Sequence, residues 1–288
     1  MKKVLVYIFW GNPLFNASSP ILSIASFRCF NKETPVFVID YSNGNWRDFP
    51  SKLKFRVISL GCQLKKIINI KDPIIDFGYF RLNNLSRPFD IDYLADYFDD
   101  CILVYADTDI FFLKNPFPLE NEESDDFHCC KDNSGFFYFK NKSLIARDFL
   151  NQWKEKTIFS IYNKNYREEL LRKSGRNGKN ELFHDEIICC SLNYDYYNEI
   201  IYNVRISKNK VPFVLMPESI HLMHVHWGKN KGVVSLIISE TRKAILNCLS
   251  VEDVKIATNG IFPRINFNIM DIKKENIRDI KKLVNNLI

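Results

Sequence analysis

Two carboxylates, Asp107 and Asp109, flank Thr108 at the end of an apolar run, Ile102-Leu103-Val104-Tyr105, and apolar residues resume at Ile110. The run reads as a buried strand. A carboxylate left unpaired at the end of a core strand costs several kcal/mol, so two of them call for an outside partner. Hard carboxylate oxygens suit Mg²⁺ or Mn²⁺. In an open α/β sheet, ligands gather beyond the carboxyl ends of the strands, where this pair would lie. A cation held by two protein oxygens keeps open positions that a diphosphate can fill. The expectation is a metal–nucleotide complex on Asp107 and Asp109. Asp-x-Asp alone is common in surface turns. Its weight here comes from the strand before it and from the absence of Gly and Pro within it.

Other chemistry-bearing residues are spread along the chain. His224 and His226 share one face of a late strand, just before a basic loop from Gly228 to Gly232. Lys229 and Lys231 in that loop are placed to meet phosphates, and an imidazole completing a carboxylate site favours Mn²⁺ over Mg²⁺. Asp185 and Glu186 open a helix, where acidic groups suit the dipole. Asn133-Ser134-Gly135 leads into the strand-like Phe136-Phe137-Tyr138-Phe139, and Arg81 lies in a helical segment upstream of the carboxylates.

The elements that must position these residues alternate. Strands are expected at 3–10, 35–40 and 55–60. A helix starting at Pro20, capped by Ser18 or Ser19, lies between the first two. Residues 77–100 read as helical, divided at Arg87-Pro88, and the strand carrying Asp107 follows. A helix is expected over 143–153, and a second helix followed by a loop over 160–182. Further strands are expected at 211–216 and 220–226, and further helices at 234–248 and, as a basic amphipathic tail, at 272–284. Alternation of this kind implies an α/β fold with a mixed, mainly parallel central sheet flanked by helices.

Composition narrows the function classes. A chain of 288 residues with net charge +6 is mildly basic, which is compatible with an anionic ligand. With no basic arm, zinc-finger spacing or RNA-binding aromatic motif, nucleic acid is not an expected partner. Eight cysteines without a C-x-x-C pair suggest buried thiols of a reducing compartment. Met1-Lys2-Lys3 before an apolar run superficially resembles a signal peptide, but the run is short and lacks a small-residue cleavage site, so a first strand fits better. A cytoplasmic protein is expected. The basic tail is the one candidate for peripheral membrane contact, and a solvated helix face is the commoner use of such a pattern.

In their order along the chain, Arg81, Asp107-Thr108-Asp109, Asn133-Ser134-Gly135, Asp185-Glu186 and His224-Val225-His226-Trp227-Gly228-Lys229-Asn230-Lys231 resemble the nucleotide-sugar glycosyltransferases of the GT-A fold. The glycogenin/galactosyltransferase-like group (glycosyltransferase family 8) is the most similar, over roughly residues 3–232. The resemblance implies a GT-A (Rossmann-like) domain at 1–232 and a C-terminal helical extension at 233–288. It also implies transfer of a sugar, with retention, from a UDP-linked donor to a glycan, lipid-linked or protein acceptor. Asp107, Asp109 and His226 would hold Mn²⁺ (or Mg²⁺), with His224 the alternative third ligand. Trp10 and Asn12 would seat the nucleobase. Arg81, Thr108, Asn133, Ser134, Gly228 and Lys231 would surround the donor, and Asp185, Glu186 and Arg81 would act at the reacting sugar. Two departures stand out. Glu186 replaces the family's Gln, and the His-to-Gly spacing is shifted by one residue. The alternatives are a phosphohydrolase that also uses Asp-x-Asp, and a non-catalytic nucleotide-sugar or carbohydrate-binding protein. The mid-chain position of the motif, and Phe111 where the phosphohydrolases carry Thr or Val, argue against the former. Retention of both aspartates and His226 argues against the latter.

Overall fold

The structure is a computed structural model that describes residues 1–9, 18–41, 53–60, 63–68, 82, 84–108, 110–112, 115–117, 127–130, 133–174, 185–192, 201–204 and 222–225. The elements are β1 (Lys2–Phe9), α1 (Ser18–Arg28), β2 (Val36–Asp40), β3 (Phe55–Ile58), α2 (Gln63–Ile67), α3 (Arg87–Tyr97), β4 (Cys101–Ala106) and β5 (Ile110–Phe112). They continue with β6 (Phe127–Cys130), β7 (Asn133–Lys140), α4 (Leu144–Tyr162), α5 (Lys164–Lys173), α6 (Asp185–Cys190), β8 (Ile201–Val204) and β9 (Leu222–Val225).

A six-stranded sheet runs in the order β3-β2-β1-β4-β7-β6. β3, β2, β1 and β4 are parallel, and β7 lies antiparallel to β4. This is a mixed, mainly parallel, Rossmann-like sheet, as the alternating pattern predicts. Val4, Leu5, Val6 and Tyr7 of β1 are fully buried, because a central parallel strand is covered by helices on both faces. β5, β9 and β8 form a second, three-stranded sheet in the order β5-β9-β8.

Several contacts fix where β4 ends, and with it Asp107. The Asn141 side chain, buried behind the sheet, accepts the Cys101 N–H (3.0 Å) and donates to the carbonyls of Ala95 (3.1 Å) and Phe98 (2.6 Å). It thereby ties the start of β4 to the end of α3. α3 is clamped to α4 by Arg147, which reaches Asp92 (3.0 Å) and Asp96 (2.8 Å), and by Lys154 on Asp92. Behind β7, the rings of Phe137, Phe149 and Trp153 pack with centroids 5.3–5.7 Å apart. α1 holds β5: Ser23 Oγ donates to the Ile110 carbonyl, and Ser26 Oγ accepts the Phe112 N–H at 3.0 Å.

The division at Arg87-Pro88 is where α3 begins, with Pro88 in the first turn, whose amide has no intrahelical partner to lose. α4 runs well past the expected end at Trp153. The expected strand 220–226 is β9, somewhat shorter, while β5, β6, β8 and α2 have no counterpart in the sequence reading. The strand expected at 211–216, the helices at 234–248 and 272–284, and the boundary at residue 232 lie outside the described residues. Among the described residues, no helix is long and apolar enough to cross a membrane.

Candidate active site at the end of the fourth strand

Period-two alternation in β4 places Leu103, Tyr105 and Asp107 on one face. Leu103 and Tyr105 enter the core, and Asp107 is the first residue to pass beyond it. The chain then turns tightly. The Asp107 N–H donates to the Gly135 carbonyl (2.7 Å) and the Ile110 N–H to the Asp107 carbonyl (3.1 Å). Asn133-Ser134-Gly135 begins β7 directly beside this turn, because β7 pairs with β4 up to Ala106 opposite Phe136.

The centre of the cluster is Arg87, in the first turn of α3 and buried. Its Nη2 lies 3.2 Å from Asp107 Oδ1 and its Nη1 3.1 Å from Asp185 Oδ2. Nη1 also donates to the Ser134 carbonyl (2.8 Å) and Ser134 Oγ (2.6 Å). Ser134 Oγ in turn donates to Asp185 Oδ2 at 3.1 Å. The Tyr105 hydroxyl donates to Asp107 Oδ1, and the Tyr105 ring lies under the guanidinium, 5.4 Å from its carbon. One arginine therefore joins three elements, β4, β7 and α6, that are distant in sequence.

Electrostatics follow from burial. Burial alone would lower the Arg87 pKa, but Asp107 and Asp185 outweigh it and hold the group above the ordinary arginine value. Burial pushes the Asp185 carboxyl up to about 6, against the opposing pull of Arg87. The Tyr105 hydroxyl is pushed well above its ordinary value, chiefly by burial, and is a proton donor throughout the useful pH range. Among the described residues, one arginine is shared by two carboxylates, Asp107 and Asp185, with Glu186 nearby. Asp107 keeps about a fifth of its side chain open to solvent (21%), whereas Asp185 has almost none (3%). A cation approaching the cluster would meet Asp107.

Of the residues expected from sequence, the structure brings together Asp107, Ser134 and Asp185, with Thr108, Asn133 and Glu186 beside them. Trp10, Asn12, Arg81, Asp109, His226, Gly228 and Lys231 lie outside the described residues. So does Lys229. His224 lies in β9, which pairs antiparallel with β5 so that His224 stands opposite Ile110. The carboxyl end of β9 therefore lies at the amino end of β5, where the Asp107–Ile110 turn is. Among the described residues, no group of three or more His, Cys, Asp and Glu is close enough to hold a metal.

Sequence reasoning missed Arg87 and Tyr105. Arg87 did leave a signal. A cation in the first turn of a helix opposes the dipole, so its presence there asks for nearby acids.

No protein-family model matches the chain, and no curated protein matches it. Solved structures do. The bifunctional glycosyltransferase WbbM, in its apo structure, aligns with 89% of this chain over 51% of its own length, at 12% identity and a TM-score of 0.50. The galactosyltransferase LgtC, in complex with donor and acceptor sugar analogues, aligns with 86% of this chain and 97% of its own length, at 12% identity and a TM-score of 0.48. The apo form of the glycosyltransferase GlyE of Streptococcus pneumoniae TIGR4 aligns with 68% of this chain, at 16% identity and a TM-score of 0.34. The match covers only 44% of GlyE, so the chain spans less than half the length of that protein. The likeness to WbbM is one of fold.

Proposed function

We propose that this chain is a metal-dependent glycosyltransferase that moves a sugar from a nucleotide-diphosphate donor, UDP-linked, to a glycan, lipid-linked or protein acceptor. One observation carries the reading. At the carboxyl end of β4, where α/β sheets bind ligands, a buried arginine ties together Asp107, Ser134 and Asp185, so that among the described residues two carboxylates share one guanidinium. A pair of carboxylates on one guanidinium, open towards solvent through Asp107, fits a site that is completed by a cation.

The donor set suits Mn²⁺ or Mg²⁺: Asp107, with Asp109 and His226 supplying the further ligands. When bound, such a cation neutralises charge on a leaving diphosphate. The chain's own residues supply the rest. Arg87 and Tyr105 orient Asp107. Ser134 and Arg87 hold Asp185 in place, and Asp185 and Glu186, in the first turn of α6, are assigned to the reacting sugar. Lys231 and Gly228 are assigned to the diphosphate, Trp10 and Asn12 to the base, and Arg81, Thr108 and Asn133 to the donor. Membership of the glycogenin/galactosyltransferase-like group, retention of configuration, and peripheral membrane contact through the tail are further parts of the proposal that rest on the sequence resemblance and pattern.

The test is nucleotide release from a panel of nucleotide sugars, with Mn²⁺ and with EDTA. UDP-sugar turnover should need the metal, and Asp107→Asn and Asp109→Asn should each lower it by about two orders of magnitude or more while the fold persists. Full turnover in EDTA, or in both variants, would overturn the reading. Phosphate release from simple monoesters would favour a phosphohydrolase instead.

A further inference from the structure

We infer that Tyr105 is a positioning residue that fixes which oxygen of Asp107 is offered to a divalent cation, and so sets which cations the site accepts. The inference rests on the proposed role of Asp107 as a ligand. Among the described residues, both side-chain contacts of the Asp107 carboxylate fall on Oδ1: the Tyr105 hydroxyl donates to it and Arg87 Nη2 lies 3.2 Å away. The other oxygen, Oδ2, is left for a ligand. The hydroxyl has little freedom to swing away. The Tyr105 ring is fully buried, packs on Phe137 at 5.9 Å between centroids, and is covered on its face by the Arg87 guanidinium at 5.4 Å.

A carboxylate whose one oxygen is engaged by two protein donors binds a metal through the other oxygen alone. Single-oxygen ligation suits the compact six-coordinate shells of Mg²⁺ and Mn²⁺. Ca²⁺ takes more oxygens at longer distances and readily uses both oxygens of one carboxylate. Tyr105 thus favours the small cations twice over, by aiming Oδ2 and by keeping Oδ1 occupied. Partners that orient a metal ligand typically change metal affinity by about 10–100-fold when removed.

The experiment is a titration of the full chain with Mn²⁺, followed by electron paramagnetic resonance with and without UDP, and repeated with Ca²⁺ as competitor. Tyr105→Phe keeps the ring and removes only the hydroxyl. It should weaken Mn²⁺ binding by about tenfold or more and narrow the preference for Mn²⁺ over Ca²⁺. Phe149→Leu, which loosens the core behind β7 and leaves Phe137 and the hydroxyl in place, should lower Tm and leave Mn²⁺ affinity within about twofold, and an equal loss in Phe149→Leu would assign the effect to general packing and overturn the inference. If Tyr105→Phe binds both ions as the parent does while Asp107→Asn binds no Mn²⁺, the role of Tyr105 is refuted and Asp107 remains a ligand. If Asp107→Asn binds Mn²⁺ as the parent does, the ligand role itself fails and the inference falls with it.

Discussion

Replacing Arg87 by methionine tests the central cluster most directly. Methionine keeps an unbranched stem over the Tyr105 ring and removes the charge and its donors. Two carboxylates lose their partner, and they do not cost the same. Asp107 is 21% exposed and water can take over much of the solvation of its carboxylate, whereas Asp185 is 3% exposed and, among the described residues, keeps only Ser134 Oγ. Breaking a buried pair by removing one member typically costs about 3–5 kcal/mol, and Asp185 should carry most of it. A domain of this kind has about 5–15 kcal/mol in total, so the variant should fold with a thin margin.

The pH dependence identifies the group responsible. In the parent protein, burial raises the Asp185 carboxyl from 3.8 to about 6. A raised folded-state pKa gives stability that is fully present below the unfolded value and is lost as pH rises through the folded one. Without the guanidinium, the folded value rises further. Below about pH 6 the carboxyl is protonated in both proteins, and the gap between them is small. Above it, the parent has stopped losing stability from this group while the variant continues, by about 1.4 kcal/mol per pH unit until its own higher pKa is passed. Urea unfolding at about pH 5 and about pH 8 should show Arg87→Met costing about 1–2 kcal/mol at the lower pH and about 3–5 at the higher. Arg87→Met/Asp185→Asn, which removes both charges, should recover about half or more of the loss at the higher pH. A loss under about 1 kcal/mol at the higher pH, or equal losses at both, would refute the argument that Arg87 compensates a buried charge.

Asp90, fully buried one turn into α3, has its carboxyl pushed up to about 7 by burial, opposed by hydrogen bonds that include the Gln63 N–H at 3.4 Å. Its contribution is present below 3.8, its ordinary value, and is lost as pH rises through about 7, so Asp90→Asn should gain on the parent across that window. Parallel urea curves with a pH-independent offset would exclude this. Trp153 is fully buried, and among the described residues its indole N–H has no partner. Trp153→Ala should cost about 3–5 kcal/mol, whereas Trp153→Phe, which removes the unsatisfied donor, should cost about 2 kcal/mol or less. Equal losses by thermal melting would show that the indole N–H is satisfied after all.

What the sequence made legible follows from what a local window contains. The apolar run of β4 and the acids at its end sit side by side in the chain, so the strand and Asp107 could both be read. The alternation of strands and helices likewise announced the α/β sheet. α4 runs past Trp153 through Thr157 and Ser160, polar residues that do not extend an apolar stripe. They are buried, and their hydroxyls donate back to the carbonyls of Trp153 (2.7 Å) and Thr157 (2.8 Å), so the polar groups are satisfied without solvent. β6 is four residues long, and the apolar Phe127 is followed by His128 and two cysteines. Its pairing with β7 is a tertiary fact that period-two patterning over so few residues does not announce.

Arg87 was hidden for a deeper reason. In sequence it stands beside Pro88 and reads as punctuation, the end of one helix and the start of the next. Its meaning lies in acids contributed by β4 and α6, and only the folded sheet brings those within 3.2 Å of it. A cation placed against the helix dipole and buried is unfavourable on both counts, so the acids that hold it there must offset both costs. The same placement explains the function proposed for it. The arginine has little to gain from α3 and much from Asp107 and Asp185, and any ligand that draws on Asp107 must also alter the balance at Asp185.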